Sequence, residues 1–103
     1  MTTTTTSTTL EAVVRHLAGA DGDLVLTVKR ARSAYEHMLS AYKSALRSHV
    51  AGDAENEDGY NEMAHEYGLI FQLRVEKAAV RVNGLTGIDE ALAASVIVSI
   101  VEE

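Results

Sequence analysis

Apolar positions recur at alternating steps of four and three residues over residues 24–49, and again over residues 60–82. Such steps place the side chains on one seam of a helix, which is typical of coiled coils and helical bundles. The two series predict helices at about 24–51 and 60–82, the second ending at the C-cap pair Asn83-Gly84, with an exposed acidic connection at 52–59. The seam positions are Leu24, Val28, Ala31, Tyr35, Met38, Tyr42, Ala45 and His49, then Tyr60, Ala64, Tyr67, Phe71, Val75, Ala78 and Val82.

The two long helices predict an antiparallel hairpin. Contacting positions in such a hairpin have a nearly constant sum of residue numbers, and the alignment that pairs Ala45 with Ala64 also pairs Met38 with Phe71. Small residues then face small ones and large residues face large ones, so this alignment is the predicted register. The same alignment pairs Tyr42 with Tyr67, Ala31 with Ala78, and His49 with Tyr60.

Shorter helices flank the hairpin. An amphipathic pattern predicts a first helix at Leu10–Ala18, and residues 87–101 predict a last helix capped by Thr86. The last helix is apolar nearly all round, which implies burial on more than one side. Density of β-branched residues leaves short strands at 24–28 and 96–101 as alternatives. The predicted fold class is therefore all-α, a small helical bundle built on a long antiparallel hairpin with a short N-terminal and an apolar C-terminal helix.

Composition narrows the class of protein. Residues 1–9 are a threonine-rich tract with little to bury, so we predict a disordered tail followed by a single domain at 10–103. The absence of cysteine excludes disulfides, thiolate metal sites and a cysteine nucleophile, while the absence of proline suits long helices. No apolar run approaches the roughly 20 residues of a membrane span, and we expect a small, acidic, cytoplasmic protein.

The net charge of −6 is distributed unevenly along the predicted hairpin. Acidic residues gather near the connection, and basic residues gather at the opposite end. The basic end is a candidate binding site for an acidic partner, although pairing with Asp89 and Glu90 within the chain is the alternative interpretation. Nucleic acid is not expected as a partner, because no face combines aromatic and basic residues in the usual way. The candidate partner-binding residues are Lys29, Arg30, Arg32, Arg74, Lys77 and Arg81.

One motif has a known use in metal chemistry. Glu62 and His65 are spaced as in the Glu-x-x-His motif of di-iron carboxylate bundles, and the predicted register places His49 at the same level. The leading interpretation expects no cofactor; on the metal hypothesis, a divalent metal would be bound by the candidate ligands His49, Glu62 and His65. A ferritin-like site would also need a glutamate from the other helix, and Glu36 lies about four turns away. An exposed polar helix face is the alternative.

The last helix predicts self-association. A hairpin and one short helix cannot cover an element that is apolar in almost every direction, and soluble monomers rarely expose a large apolar patch. A two-fold homodimer would bury the remainder against a second copy. The predicted oligomer interface comprises Ala91, Ser95, Val96, Ser99 and Ile100.

The sequence carries no arrangement that indicates catalysis. Neither a Ser/His/Asp order nor a glycine-rich phosphate loop is present. We therefore expect a non-enzymatic protein-binding module that acts through a helical-bundle surface as an adaptor, an assembly component or an inhibitor of a larger complex. The alternatives are a ferritin-like carboxylate–histidine metal protein, and a protein that binds an anion or nucleic acid at the basic end of the hairpin.

Overall fold

The computed structural model describes residues 2–103, with side chains described from residue 9 onwards. These residues form four helices: α1 (Thr2–Ala20), α2 (Gly22–Val50), α3 (Ala54–Thr86) and α4 (Glu90–Glu102). The predicted all-α bundle is confirmed. The alternative strands at 24–28 and 96–101 are wrong, since both segments are helical in the described chain.

The N-terminal part of the chain contains more helix than the sequence pattern predicts. The predicted helix Leu10–Ala18 forms the second half of α1. Met1 and the side chains of residues 2–8 lie outside the described residues, so the disorder of the tail 1–9 stays a prediction. A single residue, Asp21, separates α1 from α2, and its carboxylate caps α2 by accepting a hydrogen bond from the Leu24 N–H at 3.1 Å.

α2 and α3 form the predicted antiparallel hairpin, but only residues 51–53 connect them. The predicted connection 52–59 is therefore wrong for residues 54–59, which begin α3. Asp53 caps this helix through its carboxylate, which accepts a hydrogen bond from the Asn56 N–H at 3.3 Å. Two glutamates occupy the first turn, where the helix dipole favours negative charge. An acidic composition, from which the sequence predicted a loop, is thus equally typical of the first turns of a helix.

The shorter connection changes the register of the hairpin. Phe71 contacts Tyr35, with ring centroids 5.3 Å apart, whereas the predicted partner of Phe71 was Met38. Met38 lies instead against Gly68, where its Sδ is 3.4 Å from the place a Cβ would occupy. A hairpin folds about the middle of its connection, so an earlier connection pairs each α2 residue with an earlier residue of α3. The predicted register is wrong by three residues, almost one helical turn.

The C-terminal end of α3 also differs from the prediction. The helix continues past Asn83-Gly84 and ends at Gly87, whose φ of 76° is a left-handed conformation that glycine adopts at little cost. Thr86 belongs to the last turn of α3 and does not cap the next helix. Asp89 is the N-cap of α4, and its carboxylate accepts hydrogen bonds from two backbone N–H groups of the first turn at 3.0 and 3.2 Å.

The four helices build two different halves along the hairpin. In the base half, residues 9–36 and 71–103, α1 and α4 pack on the hairpin and enclose the core. Tyr35 and Phe71 lie at the edge of this core and are only partly buried. The buried core residues are Val14, Leu24, Val28, Ala31, Val75, Ala78, Ala79, Val82, Ile88, Ala93, Val96, Ile97 and Val101.

The distal half, residues 37–70, is the hairpin alone. The buried hydrophobic side chains there are the alanines Ala41, Ala45 and Ala64. The radius of gyration is 16.7 Å, whereas a compact domain of this length would have about 13 Å, and the longest dimension is 53 Å. The protein is therefore a short helical bundle from which a two-helix arm extends.

Candidate functional site

One side of the hairpin carries the two other helices in the base half. Val25, Lys29 and Arg32 of α2, which directly follow seam positions, line a cleft of about 300 Å³ together with residues of α1 and with Ile100 of α4. On α3, the corresponding position Ala79 is buried and lines a cleft with α4. We call this the covered side of the hairpin.

The covered side continues into the distal half, where α1 and α4 do not cover it. Leu39, Leu46 and Val50 directly follow seam positions further along α2, and Leu69 lies on α3 two helical turns before Glu76, which lines the cleft with α4. The exposed fractions of these residues are 39%, 64%, 81% and 49%. These four side chains form the distal apolar patch, which extends the surface that holds α1 and α4 in the base half.

The opposite side of the hairpin is formed by the residues that directly precede seam positions. In the base half it contains a cleft of about 220 Å³ whose lining residues all belong to α2 and α3, among them Arg30, Lys77 and Arg81. His37 and Tyr67 stack on this side, with ring centroids 5.0 Å apart. We call it the bare side. Its α3 residues are Gly59, Met63, Glu66, Ile70, Arg74, Lys77 and Arg81, and the seam residues Tyr60 and Tyr67 border it.

An ion pair fastens the N-terminus of α2 to the end of α3. Arg81 donates hydrogen bonds to both carboxylate oxygens of Asp21, at 2.9 and 3.2 Å, and its Nη2 lies 3.8 Å from Asp23. The Arg81 guanidinium, followed by the backbone N–H of Leu24, lowers the pKa of Asp21 below its ordinary value. Asp21 and Asp23 therefore neutralise part of the basic end.

Two further arginines hold α4 in place. Arg32 donates a hydrogen bond from Nη2 to the Ile100 carbonyl oxygen at 2.9 Å, near the C-terminus of α4. Arg15 of α1 lies 2.7 Å from Glu103, and its guanidinium lowers the pKa of that carboxyl group. Both cations lie where the negative end of a helix dipole attracts them. These contacts span distant parts of the sequence, and no local pattern indicates them.

The six predicted partner-binding cations do not form one patch. Lys29 and Arg32 line the cleft on the covered side, whereas Arg30, Lys77 and Arg81 line the cleft on the bare side. Arg74 also belongs to the bare side, where it donates a hydrogen bond to the Arg30 carbonyl oxygen at 2.8 Å. Asp89, which the alternative interpretation paired with this end, caps α4. The positive charge is therefore divided between two surfaces.

The candidate metal ligands are not brought together. His49 Nδ1 lies 2.8 Å from Glu57 Oε2, an interaction that follows from the corrected register, while Glu62 and His65 are exposed one turn and more further along α3. Within the described residues, no group of three histidine, aspartate or glutamate side chains could hold a metal ion. The Glu-x-x-His spacing is present, but the third ligand is paired elsewhere.

The predicted interface on α4 loses its physical reason. Val96 is only 5% exposed and Ile100 is partly buried, because α4 packs within its own chain. The exposed members are Ala91, Ser95 and Ser99, a row of small side chains with little apolar surface. The uncovered apolar surface lies on the distal half of the hairpin. Leu39, Leu46 and Val50 recur at helical spacing in the sequence, and this second series was the signal that could have revealed the patch.

No protein-family model matches this chain, and neither the curated proteins nor the solved structures include one that is significantly similar to it. The helices formed by residues 2–103 include none that is both long enough and apolar enough to cross a membrane. Arguments about function therefore depend on the surfaces of the protein itself.

Proposed function

We propose that this protein is a non-enzymatic protein-binding module of the cytoplasm, which works as a homodimer and presents the distal apolar patch to a partner protein. The observation that carries the proposal is the exposure of Leu39, Leu46, Val50 and Leu69 on an arm that no other described helix covers. The role is that of an adaptor, an assembly component or an inhibitor of a larger complex.

The patch resembles a helix-binding surface in its composition and shape. In the base half, the same side of the hairpin packs against α1 and α4 of its own chain, and clefts lined by Ile100 and by Ala79 mark where these helices meet it. Two antiparallel helices form a shallow groove along their contact, and an apolar groove accepts the apolar face of a further helix. A partner helix bound to the distal apolar patch would thus extend the packing of α1 and α4 beyond the ends of these two helices.

The test compares two variants with equally polar changes at different places. The full chain is immobilised and incubated with extract of the cells that naturally produce it, as wild type, Leu46→Glu or Leu85→Glu. Leu85 is also an exposed leucine, at 45%, but it lies near the end of α3 in the base half. We expect wild type and Leu85→Glu to retain the same protein, and Leu46→Glu to lose it, because a buried carboxylate in an apolar contact is costly.

Circular dichroism provides the necessary control, since all three chains should have the same helical content. Capture that is equal for Leu46→Glu and wild type would contradict the proposal. Loss of capture by Leu85→Glu alone would also contradict it, because the binding surface would then lie in the base half.

A further inference from the structure

We propose that the bare side of the hairpin binds a second copy of this chain, with the two α3 helices antiparallel about a two-fold axis at Ile70. This inference depends on the proposed function only in that the protein acts by binding protein, and it uses the opposite side of the hairpin. Ile70 is 37% exposed, Met63 is 44% exposed, and Leu73, one turn from Ile70, is 64% exposed. These side chains would form the apolar centre of the interface.

The order of side chains along α3 is self-complementary when the helix is reversed. Tyr67, Met63 and Tyr60 lie 3, 7 and 10 residues before Ile70, on the bare side or at its border, and three cations follow Ile70 after 4, 7 and 11 residues. Reversal about Ile70 places Tyr67 opposite the second copy's Arg74, Met63 opposite its Lys77, and Tyr60 opposite its Arg81. Guanidinium groups bind favourably over tyrosine rings, and the lysine stem packs against methionine. A parallel arrangement would instead place like residues together, cation against cation.

The charges of α3 favour the same arrangement. Residues 53–70 contain six acidic residues and no lysine or arginine, whereas residues 71–86 contain Arg74, Lys77 and Arg81 with the single acid Glu76. An antiparallel copy places the acidic half of each α3 along the basic half of the other. Glu66 would then lie at the level of the second copy's Arg74. Such complementarity selects the orientation and suppresses the parallel one.

Several of these side chains are already held in position within one chain. Arg74 donates to the Arg30 carbonyl oxygen, Arg81 is bound by Asp21, and Tyr67 stacks on His37. Little conformational freedom remains to be lost on association, which lowers the free-energy cost of binding.

The available area is sufficient for a stable dimer. The bare side runs along the 53 Å length of the molecule, and two adjacent helices are roughly 20 Å wide. The contact would therefore bury roughly 1,000 Å² on each copy, compared with about 800 Å² for a typical specific interface. The cleft at Arg30, Lys77 and Arg81 lies where the acidic N-terminal part of the second copy's α3 would arrive.

The experiment measures molar mass in solution by light scattering coupled to gel filtration, over a wide range of concentration. The expected mass of the wild type is twice the 11.1 kDa of one chain. Ile70→Lys should give the mass of one chain with unchanged helical content, because the axis would bring two lysines together. Leu46→Lys is the matched control on the covered side, and it should remain a dimer.

A charge exchange tests the orientation independently. Arg74→Glu should weaken the dimer by at least tenfold in dissociation constant, and adding Glu66→Arg should restore it. The two residues are eight positions apart within one helix and do not contact each other there, so rescue requires a contact between copies.

Three results would overturn the inference: a wild-type mass of 11.1 kDa at every concentration, a dimer that Ile70→Lys leaves intact, and a dimer that only Leu46→Lys separates. A monomeric chain that still captures a partner through Leu46 would remove this inference and the homodimeric part of the proposed function, while its protein-binding part stands. A dimer whose capture of other proteins does not depend on Leu46 would remove the protein-binding part of the proposed function, while this inference stands.

Discussion

The base and distal halves are built from the same two helices, yet they differ in what they bury. In the base half, α2 and α3 bury leucine and valine side chains against α1 and α4. In the distal half, the described core consists of alanines between two helices, while Leu46 and Val50 remain exposed. A buried leucine contributes about 2 kcal/mol by its removal from water, whereas an alanine methyl contributes far less. Stability is therefore concentrated in one half and binding surface in the other.

The lengths of the helices explain this division. α3 has 33 residues and is about 50 Å long, whereas α4 has 13 residues and covers about 20 Å. A layer that covers less than half of the hairpin leaves the remainder without a third element. The distal half can keep its helical form because both helices continue from the stable base, which removes the cost of starting a helix anew.

The largest effect expected from this comparison concerns two leucines of α2. Leu24→Ala removes a side chain that is fully buried in the base half and should lower the free energy of unfolding by about 3 kcal/mol. Leu46→Ala truncates a side chain that is 64% exposed in the distal half and should change it by less than about 0.5 kcal/mol. Urea denaturation followed by circular dichroism measures both, at one protein concentration. Equal losses would mean that the two halves do not differ in stability.

The fold class could be predicted from the seam positions, because steps of four and three residues directly indicate a helix. The register could not, because it depends on whether the acidic stretch 54–59 is loop or helix, and its composition suits both. Glycine at positions 59 and 84 favoured interruption, yet packing elsewhere along α3 overrides the small local cost of a glycine. The side of the hairpin that α1 and α4 cover could not be predicted, since it depends on long-range contacts such as that of Arg32 with Ile100.

An intermediate effect is expected from two matched pairs of glycines. Gly52 in the distal half and Gly87 in the base half have φ values of 74° and 76°, and alanine at either should cost about 1 kcal/mol. Gly59 and Gly84 are helical with open space around them, so alanine should stabilise the helix by about 0.8 kcal/mol. If the distal half opens before the base half unfolds, alanine at Gly52 and Gly59 will change the stability to global unfolding less than alanine at Gly87 and Gly84.

Thermal denaturation of the four alanine variants at one pH shows whether the distal half opens first or unfolds together with the base half. A destabilising Gly59→Ala would mean that residues 54–59 are not helical, which would also remove the corrected register.

The smallest effect concerns the two aspartates that cap α2 and α3. Asp21 caps α2 and is also bound by Arg81, which lowers its pKa below its ordinary value, whereas Asp53 caps α3 with no cation of the described residues within 4 Å. A carboxyl group whose pKa is lower in the folded than in the unfolded state stabilises the protein above the unfolded pKa. That stabilisation is lost as the pH falls through the folded pKa.

Asp21→Asn keeps a capping oxygen but removes the charge, so it should lower the melting temperature at pH 7 by a small amount. The difference from wild type should begin to shrink as the pH falls below about 4, where the unfolded chain takes up a proton at Asp21, and should disappear once the pH is below the lowered pKa of the folded chain. Asp53→Asn removes the same charge at an equivalent cap in the distal half and should have the smaller effect at pH 7, since no ion pair is broken. Melting temperatures of the three chains between pH 7 and pH 2 test both expectations. A deficit for Asp21→Asn that persists unchanged at the lowest pH would mean that the ion pair with Arg81 does not stabilise the base half, because the deficit would then come from the cap.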